Sequence, residues 1–304
     1  MMIKVKVPAT SANMGAGFDS LGIALGLYNY VYAEEAGNGL NIEILDDSAQ
    51  YLATDERNLV YRSMMAVFDK VSYKPKGIHL KLENNIMITR GLGSSSAGIV
   101  SGLLAANKLC GARLSKNELL NIATEIEGHP DNVAPAILGG MTVTARYKDR
   151  VFFDKNDIPS DLRFAAFVPD FYLATKLSRS ILPKNIAMTD AVFNLSRSAL
   201  LVSSIMSGKY ENLRAAVDDR LHQRYRKKLV PHIDSLFKKA YGAGALGVYL
   251  SGAGPTVVAI INRDNERFEE KLQKYIDSDM SNWRLYMLEA DNIGAVAYDC
   301  KTEG

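Results

Sequence analysis

Residues 91–98 read GLGSSSAG and follow the short apolar run Ile86-Met87-Ile88. They lead into a helix-forming stretch, residues 97–109, that stops at Gly111. Glycine lets backbone N–H groups come close to a ligand. The first turn of a helix adds N–H groups that have no internal partner and carry a partial positive charge. The combination suits a phosphate or another anion.

The neighbouring segments set this loop in a mixed α and β chain. Upstream, residues 3–7 (IKVKV) alternate as a half-buried strand that Pro8 ends, and residues 9–22 (ATSANMGAGFDSLG) form a polar glycine loop. Strands are predicted over 23–35, 40–45 and 78–82, with a helix that starts at Thr54 and places Leu59, Val60, Met64, Val67 and Phe68 on one face. Downstream, Ser115 and Glu118 form a capping box, which predicts a helix over 116–127. Gly128-His129-Pro130-Asp131-Asn132 follows, then an apolar segment with Gly139-Gly140 and a strand over 141–147.

The polar stretch 149–160 marks a domain boundary, which divides the chain into residues 1–155 and 156–304. Beyond it lie predicted strands at 163–168, 246–250, 257–261, 283–289 and 294–298, and helices at 189–206, 213–221, 233–241 and 267–276. Residues 251–256 (SGAGPT) make a tight glycine turn between two of those strands.

The chain has 304 residues, of which 47% are hydrophobic, and a formal net charge of +2. That balance gives no reason to expect nucleic acid or an anionic membrane as partner. Cys110 and Cys300 are the only cysteines, too far apart in sequence for a CxxC site, so neither a disulfide framework nor a thiolate metal site is expected. There is no apolar signal core near Met1 and no window apolar enough to span a bilayer, which predicts a cytoplasmic protein.

Several familiar motifs are excluded. The GxGxxG at 242–247 ends a helix and opens a strand, the reverse of a dinucleotide fingerprint. Gly208-Lys209 is followed by Tyr210, so there is no Walker loop. The serines at 94–96 lack a nucleophile elbow, and the four histidines lack metal-ligand spacing.

Three stretches remain: ATSANMGAGFDSLG, GLGSSSAG and VYLSGAGPT. In this order and spacing they resemble the three signature motifs of the GHMP kinases. Residues 8–22, 127–140 (EGHPDNVAPAILGG), 175–183 and 219–226 (DRLHQRYR) are most similar to the homoserine kinases within that family. The resemblance implies an α+β fold of two domains. The N-terminal one is like domain 2 of ribosomal protein S5 and the C-terminal one is ferredoxin-like, with ATP between them. It implies ATP and Mg²⁺ as cofactors, homoserine as acceptor in threonine synthesis, and a homodimer.

By the same resemblance, ATP contacts are expected from Asn58, Arg90, Gly91, Leu92, Gly93, Ser94, Ser95, Ser96 and Ala97. Mg²⁺ falls to Ser95 and to Glu127, which adjoins the GHPDN motif; Glu125 is next in line, and at about 200° apart on a helix only one of the two glutamates can face the site. Homoserine presents an ammonium, a carboxylate and a hydroxyl. Asp19 suits the first, and the forked guanidinium groups of Arg179 and Arg220 suit the second. Asn13, His129, Asp131 and Asn132 would surround the hydroxyl. Asp131 and Asn13 are the catalytic candidates, with Asp131 either a base or a positioning group. A GHMP kinase for a mevalonate-like or sugar acceptor and a non-catalytic nucleotide-binding module are the competing expectations. Met14 and Ala16 depart from the usual SANLGPGFD, although the glycines and polar residues around them are kept.

Overall fold

The computed structural model describes residues 1–300. Two sheets carry the chain. The larger has seven strands: β1 (Ile3–Ala12), β2 (Leu21–Glu35), β3 (Gly39–Ile44), β4 (Gly77–Glu83), β5 (Met141–Tyr147), β6 (Arg150–Asn156) and β11 (Val296–Asp299). Its main path runs β11-β1-β2-β4-β3, with β5 on the far end of β2 and β6 on β5; β3 and β4 are parallel and the other pairs antiparallel. The smaller sheet is antiparallel, in the order β10 (Trp283–Leu288), β7 (Leu162–Pro169), β9 (Val257–Asn262), β8 (Gly247–Leu250).

The helices are α1 (Leu59–Lys70), α2 (Ser94–Leu109), α3 (Lys116–Glu127), α4 (Pro130–Leu138), α5 (Thr175–Ser180), α6 (Met188–Ser207), α7 (Leu213–Ala216), α8 (Gln223–Arg226), α9 (Ile233–Gly242) and α10 (Arg267–Asp279). α2 and α4 pack on β1 and β2, and α1 packs on α2. A Cβ on Gly102 would stand 2.2 Å from the Val60 carbonyl oxygen, so the small residues of α2 serve close packing on α1.

The smaller sheet is buried on both faces. Phe164, Ala166, Val168, Tyr249, Val258 and Ile260 join the core under the larger sheet, while Ala165, Phe167, Val257, Ala259 and Ile261 pack with α9 and α10. Two-sided burial explains why β9 (VVAIIN) reads as an apolar run and not as an alternation.

Five expectations change. The helix expected from Thr54 starts only at Leu59, with Asn58 as its N-cap. Pro8 does not end β1; a bulge between Pro8 and Ala9 absorbs the missing N–H, and the strand runs on to Ala12. The helix expected over 213–221 stops at Ala216, where the chain turns so that Asp219 can cap the next segment. The polar stretch 149–160 contains β6, an edge strand whose alternate residues face solvent. The division at 155/156 falls at the end of β6, yet β11 returns from the C-terminal part to pair with β1.

Candidate active site

The glycine–serine loop meets α2 at a cleft of about 270 Å³. Gly93 caps the helix in the left-handed region (φ 71°), where a Cβ would lie 1.9 Å from Thr10 Oγ1. Gly91 (φ 89°) runs against residues 251–254, where a Cβ would meet two carbonyl oxygens at 2.8 and 2.9 Å. The N-cap supplies no side-chain acceptor, and the first helical bond is from Ala97 N to Gly93 O at 2.8 Å. The N–H groups of Ser94 and Ser95, which line the cleft, therefore remain for a ligand. The SGAGPT turn holds the loop from behind: Ser251 Oγ donates to Gly91 O at 2.5 Å and Thr256 N to Arg90 O at 3.1 Å.

Asn58, Gly91, Gly93, Ser94 and Ser95 line this end of the cleft, with Leu59, Val60, Leu82 and Asn84. Asn58 is fixed as the N-cap of α1, accepting from Val60 N at 2.9 Å and donating to Ala53 O at 2.7 Å. Four residues expected to contact ATP do not line the cleft. Leu92, Ser96 and Ala97 are buried beneath the loop. The Arg90 guanidinium is spent on the carbonyls of Ile88, Pro169 and Asp170, where it ties the loop to the smaller sheet.

Glu127 ends α3, which the Ser115–Glu118 capping box starts and left-handed Gly128 stops. Its carboxylate accepts from Ser95 Oγ at 2.9 Å and from Ser96 Oγ at 3.0 Å. Glu127 lines the cleft, whereas Glu125 is exposed.

The other end of the cleft is built from side chains. Asn13, Met14 and Gly15 run through positive φ (68°, 45° and 85°), which folds residues 13–19 into a tight loop. Asn13 Oδ1 accepts from Asp19 N at 3.0 Å, and Asn13 Nδ2 donates to Gly252 O at 3.1 Å. Asp19 faces the cleft, where the Arg179 fork grips it at 2.7 and 3.0 Å. That carboxylate holds the guanidinium above its ordinary range. His129 is the N-cap residue of α4, and its Nδ1 lies 2.5 Å from Asp131 Oδ1. Burial pulls the His129 pKa down, but the hydrogen bond and negative charge of Asp131 outweigh it, and the net shift is upward. Asn132 Oδ1 accepts from Thr10 Oγ1 at 2.8 Å. Asp19, His129 and Asp131 bring one ligand atom each within 4.8 Å of one another, an arrangement that suits a positively charged group.

Of the two arginines expected for an acceptor carboxylate, only Arg179 reaches the cleft. Arg220 is exposed, pairs with Asp190 at 3.3 Å and lies over the Phe193 ring. The basic residue that lines the cleft beside Arg179 is Arg226, which the sequence did not single out. It is 1% exposed and donates to Gly252 O at 2.9 Å and Ser178 O at 3.2 Å. Burial, with the nearby charge of Arg179, pushes its pKa down to about 10. One signal was available: His222 and Arg226 stand four residues apart, on one helical face, away from Arg224.

No helix among the described residues is long and apolar enough to cross a membrane. The chain matches the family models for the GHMP kinases N terminal domain at residues 58–140 and the GHMP kinases C terminal at residues 201–278. It is 47% identical to a homoserine kinase of Caldicellulosiruptor bescii over 99% of this chain and 98% of that one. It is also 47% identical to a homoserine kinase of Clostridium botulinum, over 97% and 98%. Among solved structures, the homoserine kinase of Cytophaga hutchinsonii superposes with a TM-score of 0.88 at 30% identity, covering 98% of this chain and 97% of that one. A mevalonate kinase at 14% identity shares the fold, with a TM-score of 0.71. Two-sheet architecture, a phosphate-type loop at a helix start and relatives matched end to end agree: the chain belongs to the GHMP kinase family, among its homoserine kinases.

Proposed function

We propose that the protein transfers the γ-phosphoryl group of ATP to the side-chain hydroxyl of homoserine, giving O-phosphohomoserine for threonine synthesis. The observation that carries the reading is the joining, in one cleft, of unpaired helix N–H groups with the Asp19–Arg179 pair and Arg226. Phosphoryl transfer through a loose transition state needs positioning and charge neutralisation more than covalent help from the protein. Gly91, Gly93 and the start of α2 cradle the triphosphate. The hydroxyl of Ser95 and the carboxylate of Glu127 are hard oxygen donors 2.9 Å apart, a set that fits Mg²⁺. The ion, when bound, neutralises charge on the phosphate oxygens. Ser96 is bonded to the same carboxylate from a buried position, so it orients Glu127.

The acceptor end selects a zwitterion. Asp19 takes the ammonium, and Arg226 with Arg179 takes the carboxylate. Asp19 and Arg179 hold each other before the acceptor arrives, so binding exchanges one ion pair for two. An acceptor lacking one or both of the two charges leaves the site without a matching partner, which counts against mevalonate-like molecules and sugars. The acceptor oxygen attacks the γ-phosphorus, the bond to ADP breaks, and the hydroxyl proton passes to an oxygen of the transferred group. Asp131 already accepts from His129, and this favours a positioning role for it over that of a base.

A coupled assay with ATP-Mg²⁺ and a panel of hydroxylated acceptors tests the reading. Turnover is expected on homoserine. Turnover on mevalonate or a sugar with none on homoserine, or ATP binding without product on any acceptor, overturns it.

A further inference from the structure

His222 is fully buried and makes no contact with the cleft itself, yet both ring nitrogens are engaged. Nε2 lies 2.8 Å from the carbonyl oxygen of Gly15, which can only accept. Nε2 therefore carries the proton, and Nδ1 is left as an acceptor facing Arg226 Nη1 at 3.3 Å. The same Nη1 donates to Gly252 O, which also accepts from Asn13 Nδ2. The result is a closed ring of hydrogen bonds, from Asn13–Gly15 through His222 and Arg226 to Gly252 and back to Asn13. It joins three segments that are each more than 20 residues from the next in sequence: the loop that bears Asp19, α8 and the SGAGPT turn. Phe18 stacks on the imidazole at 5.2 Å, and the guanidinium carbons of Arg179 and Arg226 stand 5.7 and 5.3 Å from its ring centre.

We infer that His222 is a positioning residue for the acceptor: as the neutral Nε2–H tautomer it holds the Arg226 guanidinium in place through Nδ1 and anchors the Asp19 loop through Nε2. A doubly protonated ring would set an N–H against the Arg226 N–H, so the arrangement needs an uncharged imidazole. Burial, with the charge of Arg226, works in the same direction and outweighs the Asp219 carboxylate 3.8 Å from Nε2, keeping the ring below its ordinary pKa. The inference rests on the reading of Arg226 as the group that meets the acceptor carboxylate.

Two variants separate the two bonds. His222→Asn keeps an acceptor near the Nδ1 position, and His222→Gln keeps a donor near Nε2. The expected outcome is an apparent homoserine KM raised on the order of tenfold in H222Q, in line with loss of one hydrogen bond to a charged group. H222N recovers most of that loss, and both variants keep the wild-type KM for ATP. A merely structural histidine would instead move both KM values together, and by equal amounts in the two variants; that result overturns the inference. Should neither variant fold, ¹⁵N chemical shifts of the imidazole in the wild-type protein decide. An Nε2–H tautomer whose Nδ1 resonance responds to homoserine supports the inference, and an Nδ1–H tautomer or a ring indifferent to homoserine overturns it. Wild-type protein without homoserine turnover would instead strike the acceptor assignment, and the tautomer measurement remains meaningful in that case.

Discussion

The two ends of the cleft are made in opposite ways. The nucleotide end is a backbone device. A contiguous run, residues 91–98, supplies glycines, a helix start and serines, and the rest of the chain packs behind it. The acceptor end is a side-chain device. Its charged groups come from residues 13–19, α4, α5 and α8, and hydrogen bonds to Gly252 O and between Asp19 and Arg179 hold them together. A backbone site tolerates change in side chains around it but not in its glycines. A side-chain site fails one charge at a time. Substitutions at the two ends should therefore separate ATP binding from acceptor binding.

The largest effect is expected where the two ends meet. Glu127→Gln keeps the shape of the side chain but removes the charge opposite Ser95 and Ser96. A loss of about a hundredfold in kcat, with a weakened Mg²⁺ dependence, is the expected result. A metal titration that does not change would remove Glu127 from the ligand set.

Next comes the pair of arginines. Arg226→Leu should raise the homoserine KM by roughly ten- to a hundredfold and leave the KM for ATP in place, because it removes a buried guanidinium from the acceptor end only. Arg220→Leu should leave both values within about twofold, as expected for an exposed ion pair outside the cleft. If Arg220→Leu proved the more damaging substitution, the acceptor end would have been drawn in the wrong place.

The same contrast explains what the sequence makes legible. A loop of adjacent glycines and serines declares itself, and so do the Ser115–Glu118 box and the period of α1. Each depends on neighbours within a few residues. Arg226 depends on Gly252 and Ser178 converging from distant segments, and the basic neighbours at 220, 224, 227 and 228 hide which one turns inward. Arg90 misleads for the opposite reason. It adjoins the loop in sequence, but its long side chain reaches back to carbonyls at 169 and 170. β6 escapes because an edge strand with one solvated face reads as a polar linker.

A fourth substitution tests whether the nucleotide end is indeed backbone-built. Gly102→Ala adds a methyl 2.2 Å from Val60 O, deep in the α1–α2 contact behind Asn58. A loss of about 1–3 kcal/mol in denaturant unfolding is expected, with the homoserine KM unchanged in the folded fraction. A variant as stable as the wild type would mean that α1 can move away freely, and that Asn58 is held less firmly than its bonds to Ala53 and Val60 indicate.

The smallest effect concerns charge state, on which only the acceptor end depends. His129 has its pKa raised in the fold, since the Asp131 carboxylate outweighs burial. A raised folded value means that the folded protein binds the proton more tightly than the unfolded chain. The stability it contributes is then present in full below the ordinary histidine value of 6.5 and fades as pH rises through the folded value. Melting temperatures taken from pH 5 to 9 should fall more steeply on the alkaline side in the wild type than in His129→Gln, which cannot titrate. The KM for ATP should stay level over that range, because the N–H groups of α2 carry no titrating proton. Parallel melting curves would show that the His129–Asp131 contact adds no proton-linked stability. A KM for ATP that follows the same titration would mean that the two ends of the cleft are coupled through α4 and Glu127, and are not independent devices.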